Sequence, residues 1–356
     1  MVKKIYWKEN LTHSQWLKER LKIQGVGEPY TRVSASDISV ITGSNVWKSK
    51  RRLFLQMTGL YHRDIITPWM AQGSLVEPVV GQYYESWNPS DKDESLYNVT
   101  HGIKLRKVEK AKFFLLNTKY EHLSASLDFI HVGEQYSPIS GAKFGELSPI
   151  EAKYLNEFYW KSMASEGISQ AYLEQMQIQL GLAEESFGIF APLVTDGSFN
   201  PREVYFDKEL FEYLVEVAGN FARDVTKVKL LMAQKELSND VSERTELEYM
   251  IEESIPLDDG HKDALEVINE THEGSIDELY LQIEDGDELD ALMSRYIEIQ
   301  EEEKILSNEK NKVRSQLTLA SEGYSGIESP NFRAIIRGDN SDKKRYFRIL
   351  KKGDSV

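Results

Sequence analysis

A chain of 356 residues with 40% hydrophobic content has room for one large domain and an appendage, or for two domains. It has no cysteine, which excludes disulfides, Cys-ligated zinc and Cys-ligated iron–sulfur clusters. The formal net charge of −15 argues against a nucleic-acid partner only until it is resolved along the chain: residues 233–303 hold 24 acids against 4 bases, whereas the first 64 carry 12 bases against 5 acids. The N-terminus lacks a signal peptide's apolar core and no apolar run approaches about 18 residues, so a soluble, cytoplasmic protein with no membrane partner is expected.

Residues 11–25 read as a helix with Leu11, Trp16, Leu17 and Leu21 on one face, stopped by Gly25. In TRVSASDISVITGS, Ser34 or Ser36 serves as N-cap of a short apolar helix that Gly43 ends. Lys48, Lys50, Arg51 and Arg52 then open another helix. That quartet is either a solvated helix start or a rim that contacts phosphates. Residues 67–87 read as a longer helix despite Pro78, with Gly73 and Glu77 one turn apart. Apolar Leu75, Val76, Val79 and Val80 surround Glu77, so its burial or semi-burial is expected, and with it a metal or lysine to offset the cost. A polar loop at NPSDKDES precedes strands near 103–108 and 112–117.

A strand, LSASLDFIHV, then carries Asp128, and a second, SPIEAKYL, carries Glu151 and Lys153. An amphipathic helix, SQAYLEQMQIQLGLA, brings Gln175 to the same end. Two strands with the Asp196-Gly197 turn between them close the sheet, and a helix follows from an N-cap at Asp207 to Leu231. The acidic segment has helical stretches broken at Ile255-Pro256, Asp259-Gly260 and Asp285-Gly286. From Leu289 to Leu317 its apolar residues form a heptad-like stripe with Glu303 and Lys310 in the seam, read as an extended arm folded as a hairpin in preference to one long coiled coil. The stretch 284–290 is a solvated acidic turn, since its spacing does not match a calcium loop. FRAIIRG and KRYFRILKK flank DNSDK as a basic hairpin, placed either against the preceding sheet or at DNA. The expected architecture is α/β, a mixed sheet flanked by helices over 1–232, an acidic helical arm over 233–321 and a basic hairpin tail over 322–356.

Residues i and i+2 of a strand share a face, so Glu151 and Lys153 point the same way, and Asp128 on the neighbouring strand adds a second carboxylate. Phosphodiester hydrolysis needs an activated water and neutralised phosphate charge. Asp128, Glu151 and the Ala152 carbonyl are candidate Mg²⁺ ligands, with Mn²⁺ a substitute. Lys153 would orient or deprotonate the water and stabilise developing charge, Glu77 would support a second ion, and Gln175 would hold the nucleophile or the phosphate. By itself E-x-K is a weak pattern, equally consistent with an exposed strand pair.

In order along residues 30–215, S-A-S at Ser34–Ser36, G-x-x-x-E at Gly73–Glu77, S-L-D at Ser126–Asp128, E-A-K at Glu151–Lys153 and A-Y-L-E-Q-M-Q at Ala171–Gln177 resemble the phage lambda exonuclease / YqaJ-like viral recombinase family of the PD-(D/E)XK nucleases. The resemblance implies that family's restriction-endonuclease-like fold, Mg²⁺ on Asp128 and Glu151, a catalytic Lys153 and support from Glu77 and Gln175. It also implies a DNA 5′-phosphate pocket built from Ser34, Ser36, Ser126 and an arginine, for which Arg32 stands closer to the serines than the family pattern; Lys48 and Arg51 are the further candidate DNA contacts. Leu127 and Phe129 depart from the family's usual proline and glycine.

The function expected is a Mg²⁺-dependent 5′-to-3′ double-strand DNA exonuclease that makes 3′ single-stranded tails for recombination by strand annealing, in a host cytoplasm if phage-encoded. The partners so implied are double-stranded DNA ends, a single-strand annealing protein and a ring-type homo-oligomer. The alternatives are an endonuclease on the same fold, or a catalytically decayed DNA-binding or scaffold protein. The acidic arm would then mimic DNA, hold subunits apart or recruit the annealing partner.

Overall fold

The computed structural model describes residues 1–7, 11–61, 67–256, 260–271, 287–321, 324, 326–338 and 345–351, and the chain divides into two units, Met1–Gly274 and Ser275–Val356. The first unit holds two sheets, with strands numbered in chain order. One runs β1 (Val2–Tyr6), β4 (Phe113–Asn117), β5 (Leu123–Ser126), β2 (Val33–Ser34). The other runs β3 (Val108–Lys110), β6 (Phe129–His131), β7 (Pro149–Leu155), β8 (Phe187–Val194), β9 (Arg202–Tyr205). The β2–β5 and β7–β8 pairs are parallel and the rest antiparallel, so both sheets are mixed and the expected α/β class holds. Every residue of β8 is buried, as the unbroken apolar run FGIFAPLV requires of a strand covered on both faces.

The helices of this unit are α1 (His13–Gln24), α2 (Ile38–Thr42), α3 (Lys50–Thr58), α4 (Pro68–Ser86), α5 (Lys92–His101), α6 (Glu157–Glu166), α7 (Gln170–Ala183), α8 (Lys208–Leu237), α9 (Val241–Glu253) and α10 (Lys262–Thr271). α7 is the central one. It was read as amphipathic, but every residue from Met176 to Ala183 is buried, because the sheet lies on one side of it and α2 and α8 on others. At Gly181 the α7–α8 approach is so close that a Cβ would stand 2.1 Å from the buried Phe211 ring.

The segment read as a single Asp128 strand is two. β5 ends at Ser126 in one sheet, Leu127 and Asp128 bridge, and β6 begins at Phe129 in the other. α5 replaces the expected polar loop: Asp91 caps it, Asp93 and Glu94 suit its first turn, and Gly102 ends it at φ 66°. The strand expected over 103–108 accordingly shrinks to β3, and β1 was not anticipated. Neither Ser34 nor Ser36 caps α2; Ser34 precedes a 3₁₀ turn without a side-chain cap bond. The 232/233 boundary falls inside α8, and the acidic residues up to Thr271 are part of the first unit. The reason is apolar burial: Leu247 and Ile251 of α9 join the main core, and Val267 of α10 packs with Leu55 and Tyr61.

In the second unit the stripe lies on one continuous 33-residue helix, α11 (Glu288–Ala320), with no buried side chain, in place of a hairpin. Of the acidic stretch 284–290, residues 284–286 lie outside the described residues, and Asp287 caps α11. The tail hairpin pairs β11 (Phe332–Gly338) with β12 (Arg345–Lys351), and β10 (Gly326–Glu328) adds a third strand. Its turn residues, 339–344, lie outside the described residues, as do 259 and 285–286 of the expected turns.

Each buried Leu, Ile or Val contributes about 1.5–3 kcal/mol, against a total stability of about 5–15 kcal/mol. A chain ended at 232 is therefore expected to lose cooperative unfolding, or more than about 10 °C of melting temperature, while a chain ended at 274 keeps its transition, as read by circular dichroism. Equal melting of the two would refute the placement of α9 and α10 in the core.

Candidate active site

The antiparallel β6–β7 ladder pairs Phe129 with Ile150, so one further step would set Asp128 opposite Glu151. The ladder stops there. Asp128 takes the ladder's place with its side chain, accepting a hydrogen bond at Oδ2 from the Ala152 N–H at 2.8 Å. A residue's N–H and C=O leave an extended strand on the same side, so the Ala152 carbonyl also faces Asp128.

Glu151 is 1% exposed, and both its oxygens are held. Gln175 Nε2 donates to Oε1 at 2.6 Å, and Lys153 forms an ion pair with the same oxygen. Gln179 Nε2 donates to Oε2 at 2.7 Å and also to the Ser126 carbonyl at 3.2 Å. Gln175 and Gln179 are i and i+4 on α7, hence one face. Gln177 points away from them and ties the Tyr205 carbonyl and the Asp207 N–H at 2.8 Å each. The family motif singled out Gln175, and sequence reasoning missed Gln179, although its four-residue spacing was there to be read. Gln179 Oε1 is buried and has no partner among the described residues.

Burial pushes Asp128 well above the usual carboxylate range, and the negative charges of Glu151 and Glu77 push it further, against Lys153 and the Ala152 N–H. Burial alone would lower Lys153, but Glu151 and Asp128 outweigh it and raise its pKa above the ordinary lysine value. Its ammonium also lies 5.3 Å from the Tyr172 ring centre. Glu77 is half-buried as expected, and the partner it finds is Lys110, at 2.9 Å. Among the described residues, no three His, Cys, Asp or Glu side chains come together as a metal cluster. What the site offers a cation is two carboxylates that repel each other, beside a buried amide oxygen, Gln179 Oε1, with no partner among the described residues. That set fits a hard ion that keeps several waters, such as Mg²⁺.

A second cluster adjoins on β2 and the turn after it. Arg20 of α1 donates to Ser36 Oγ and to Asp37 Oδ2, both at 2.8 Å, and Lys48 stands 3.8 Å from Asp37. Ser34 Oγ is 3.5 Å from Ser36 Oγ, and β2 runs beside β5, the strand that ends in Ser126. Burial would raise Asp37, yet Arg20 and Lys48 hold it below the carboxylate range; burial lowers Lys48. The buried Arg20 Nε has no partner among the described residues. Arg32 and Arg51 are not brought here. Arg32 donates to the Glu121 and Ile23 carbonyls and covers Tyr30, and Arg51 donates to the Pro256 carbonyl. The arginine that does reach these serines is Arg20, which sequence reasoning did not single out; no local spacing signals it, because a helix sixteen residues upstream delivers it.

The raised pKa fixes a sign. Folded Asp128 holds its proton more tightly than the unfolded chain, so its contribution to stability falls as pH rises from about 4 through the folded pKa. Asp128→Asn is expected to melt higher than the wild type at neutral pH without added metal, the difference closing below about pH 4. Mg²⁺ should raise the wild-type melting temperature and leave the variant's unchanged. A variant less stable than wild type at pH 7 would contradict the electrostatic account.

The model of the YqaJ-like viral recombinase domain matches residues 15–186. The uncharacterized protein YqaJ of Bacillus subtilis (strain 168) is 26% identical over 217 residues, 60% of this chain and 56% of its own length, so the match spans little more than half of that protein. Among solved structures, the alkaline exonuclease LHK-Exo of Laribacter hongkongensis aligns at TM-score 0.43 and 16% identity, over 61% of this chain and 97% of its own. A phage-related exonuclease of Haemophilus somnus 129PT aligns at TM-score 0.38 and 14% identity, over 58% and 96%. Over residues 15–186, then, the chain is similar to the YqaJ-like viral recombinase domain.

Proposed function

We propose that this chain is a Mg²⁺-dependent deoxyribonuclease that digests double-stranded DNA from 5′ ends, leaving 3′ single-stranded tails for an annealing protein in phage-type recombination. The observation that carries the reading is the opposition of Asp128 and Glu151 at the end of the β6–β7 ladder, with Lys153 on the Glu151 carboxylate. The similarity to the viral recombinase domain supports the recombination setting. Asp128, Glu151 and the Ala152 carbonyl would hold Mg²⁺, or Mn²⁺ in its place. Such an ion supplies an acidified water and neutralises phosphate charge.

The remaining work belongs to the chain's own side chains. Lys153, its pKa raised by two carboxylates in the metal-free site, is an ammonium suited to orient and neutralise phosphoryl oxygens. Gln175 and Gln179 fix both Glu151 oxygens, so that carboxylate keeps one orientation through the reaction. Protons compete for Asp128, which favours activity at higher pH. The Arg20–Ser36–Lys48 cluster, with a net positive balance around Asp37 and an Arg20 Nε–H that has no partner among the described residues, suits a terminal 5′-phosphate.

End-labelled linear duplex tests this directly. Wild type is expected to release mononucleotides from 5′-phosphorylated ends only with Mg²⁺ or Mn²⁺. Asp128→Ala and Lys153→Ala should lose about 10²–10³-fold or more, and Gln175→Ala about 10–100-fold. Arg20→Ala should erase the preference for 5′-phosphate over 5′-hydroxyl ends. Equal cleavage of covalently closed circles would instead establish an endonuclease.

A further inference from the structure

Trp47 is 54% exposed and Val46 before it 64%, yet the loop that carries them is tightly held. Asn45 Oδ1 accepts hydrogen bonds from the N–H groups of Trp47 and Lys48 at 2.8 and 3.0 Å, and its own N–H reaches the Ser39 carbonyl at 2.9 Å. On the near side of the loop, Thr42 and Ser44 donate to Glu174 Oε2 at 2.6 and 2.7 Å. Glu174 is 4% exposed, and its other oxygen accepts only from Gln170, at 3.1 Å, among the described residues. A buried carboxylate satisfied by hydroxyl and amide donors is a costly way to hold a loop. It is also the residue directly before Gln175, so one turn of α7 fixes both this loop and the Glu151 carboxylate.

The tryptophan so presented stands at the site. Its ring stacks on Tyr172 with centroids 6.4 Å apart and planes at 25°, and Tyr159 meets its edge at 5.7 Å. Tyr172 is the ring that lies 5.3 Å from the Lys153 ammonium. A Trp backed by Tyr172, more than half exposed and one ring removed from Lys153, has surface left to offer to an extended strand.

We propose that Trp47 is a stacking platform for a nucleobase flanking the scissile phosphate, so that the strand being cut is gripped by a base as well as by its phosphates. The inference rests on the nuclease reading above. Stacking on an aromatic face tolerates any base, as an enzyme that digests whatever sequence lies ahead requires.

The test is a cycle between enzyme and substrate, with wild type, Trp47→Phe, Trp47→Ala and Lys153→Ala full-length proteins. Linear duplex is compared with the same duplex carrying abasic sites beside the terminal phosphates. On ordinary DNA, W47A is expected to raise KM about 5- to 150-fold with kcat near wild type, and W47F to stay within about 5-fold. On the abasic duplex, wild type should fall to the W47A level and W47A should lose nothing more. A wild-type KM for W47A, or losses that simply multiply, would overturn the proposal while the dead K153A variant leaves the nuclease reading standing. If wild type itself cleaves nothing, that reading fails. The fluorescence of 2-aminopurine near the duplex end, quenched on binding wild type but not W47A, then still decides the role of Trp47, and equal quenching refutes it.

Discussion

Asp128 and Glu151 would form a directly opposed pair if the β6–β7 ladder ran one step further, and like charges so placed repel. The fold does not relieve this by turning one of them out to water. It ends the ladder, lets Asp128 accept from the Ala152 N–H, and surrounds Glu151 with Lys153, Gln175 and Gln179. The transfer of the chain from one sheet to the other between Ser126 and Phe129 follows from the same event, because a side chain, not a backbone, occupies the next ladder position. Electrostatic strain and sheet topology are therefore one feature, seen once in energy and once in geometry.

α7 carries the consequences outward. A helix as deeply buried as the second half of α7 keeps polar residues where they find partners, and Glu174, Gln175, Gln177 and Gln179 each do, Gln179 through its Nε2. Gln175 and Gln179 face the carboxylate, Gln177 fastens the end of β9 to the start of α8, and Glu174 holds the loop before Lys48. Close packing at Gly181 against Phe211 locks the helix against α8. Rotation of α7 by a fraction of a turn would loosen all of these together, which is how a helix with little amphipathic signal comes to set the precision of a site.

The parts legible in the sequence were those that local spacing encodes. Glu151 and Lys153 share a strand face because the period is two; the end of α1 and the start of α8 follow from Gly25 and Asp207 as caps. The contacts that escaped are long-range. Nothing near Ser36 announces Arg20, nothing near Glu77 announces Lys110, and the strand break at Asp128 lies inside an unbroken apolar pattern. The acidic segment misled for another reason: its charge masked the few apolar residues, Leu247, Ile251, Ala264 and Val267, that hold its first half in the core.

That first half also changes what a basic stretch of sequence amounts to. Asp263 of α10 accepts from the Ser49 N–H at 2.9 Å and faces Arg52 at 3.4 Å, while the Pro256 carbonyl takes Arg51. With Arg32 turned to carbonyls as well, these guanidinium groups are neutralised or occupied inside the protein, and Arg20 and Lys48 are left flanking the serines. A backbone carbonyl and one acidic side chain of the segment thus occupy two of the four basic residues that the sequence sets side by side. Under the proposed reading, few counterions would be displaced if a phosphate bound between Arg20 and Lys48, fewer than the twelve basic residues among the first sixty-four would suggest.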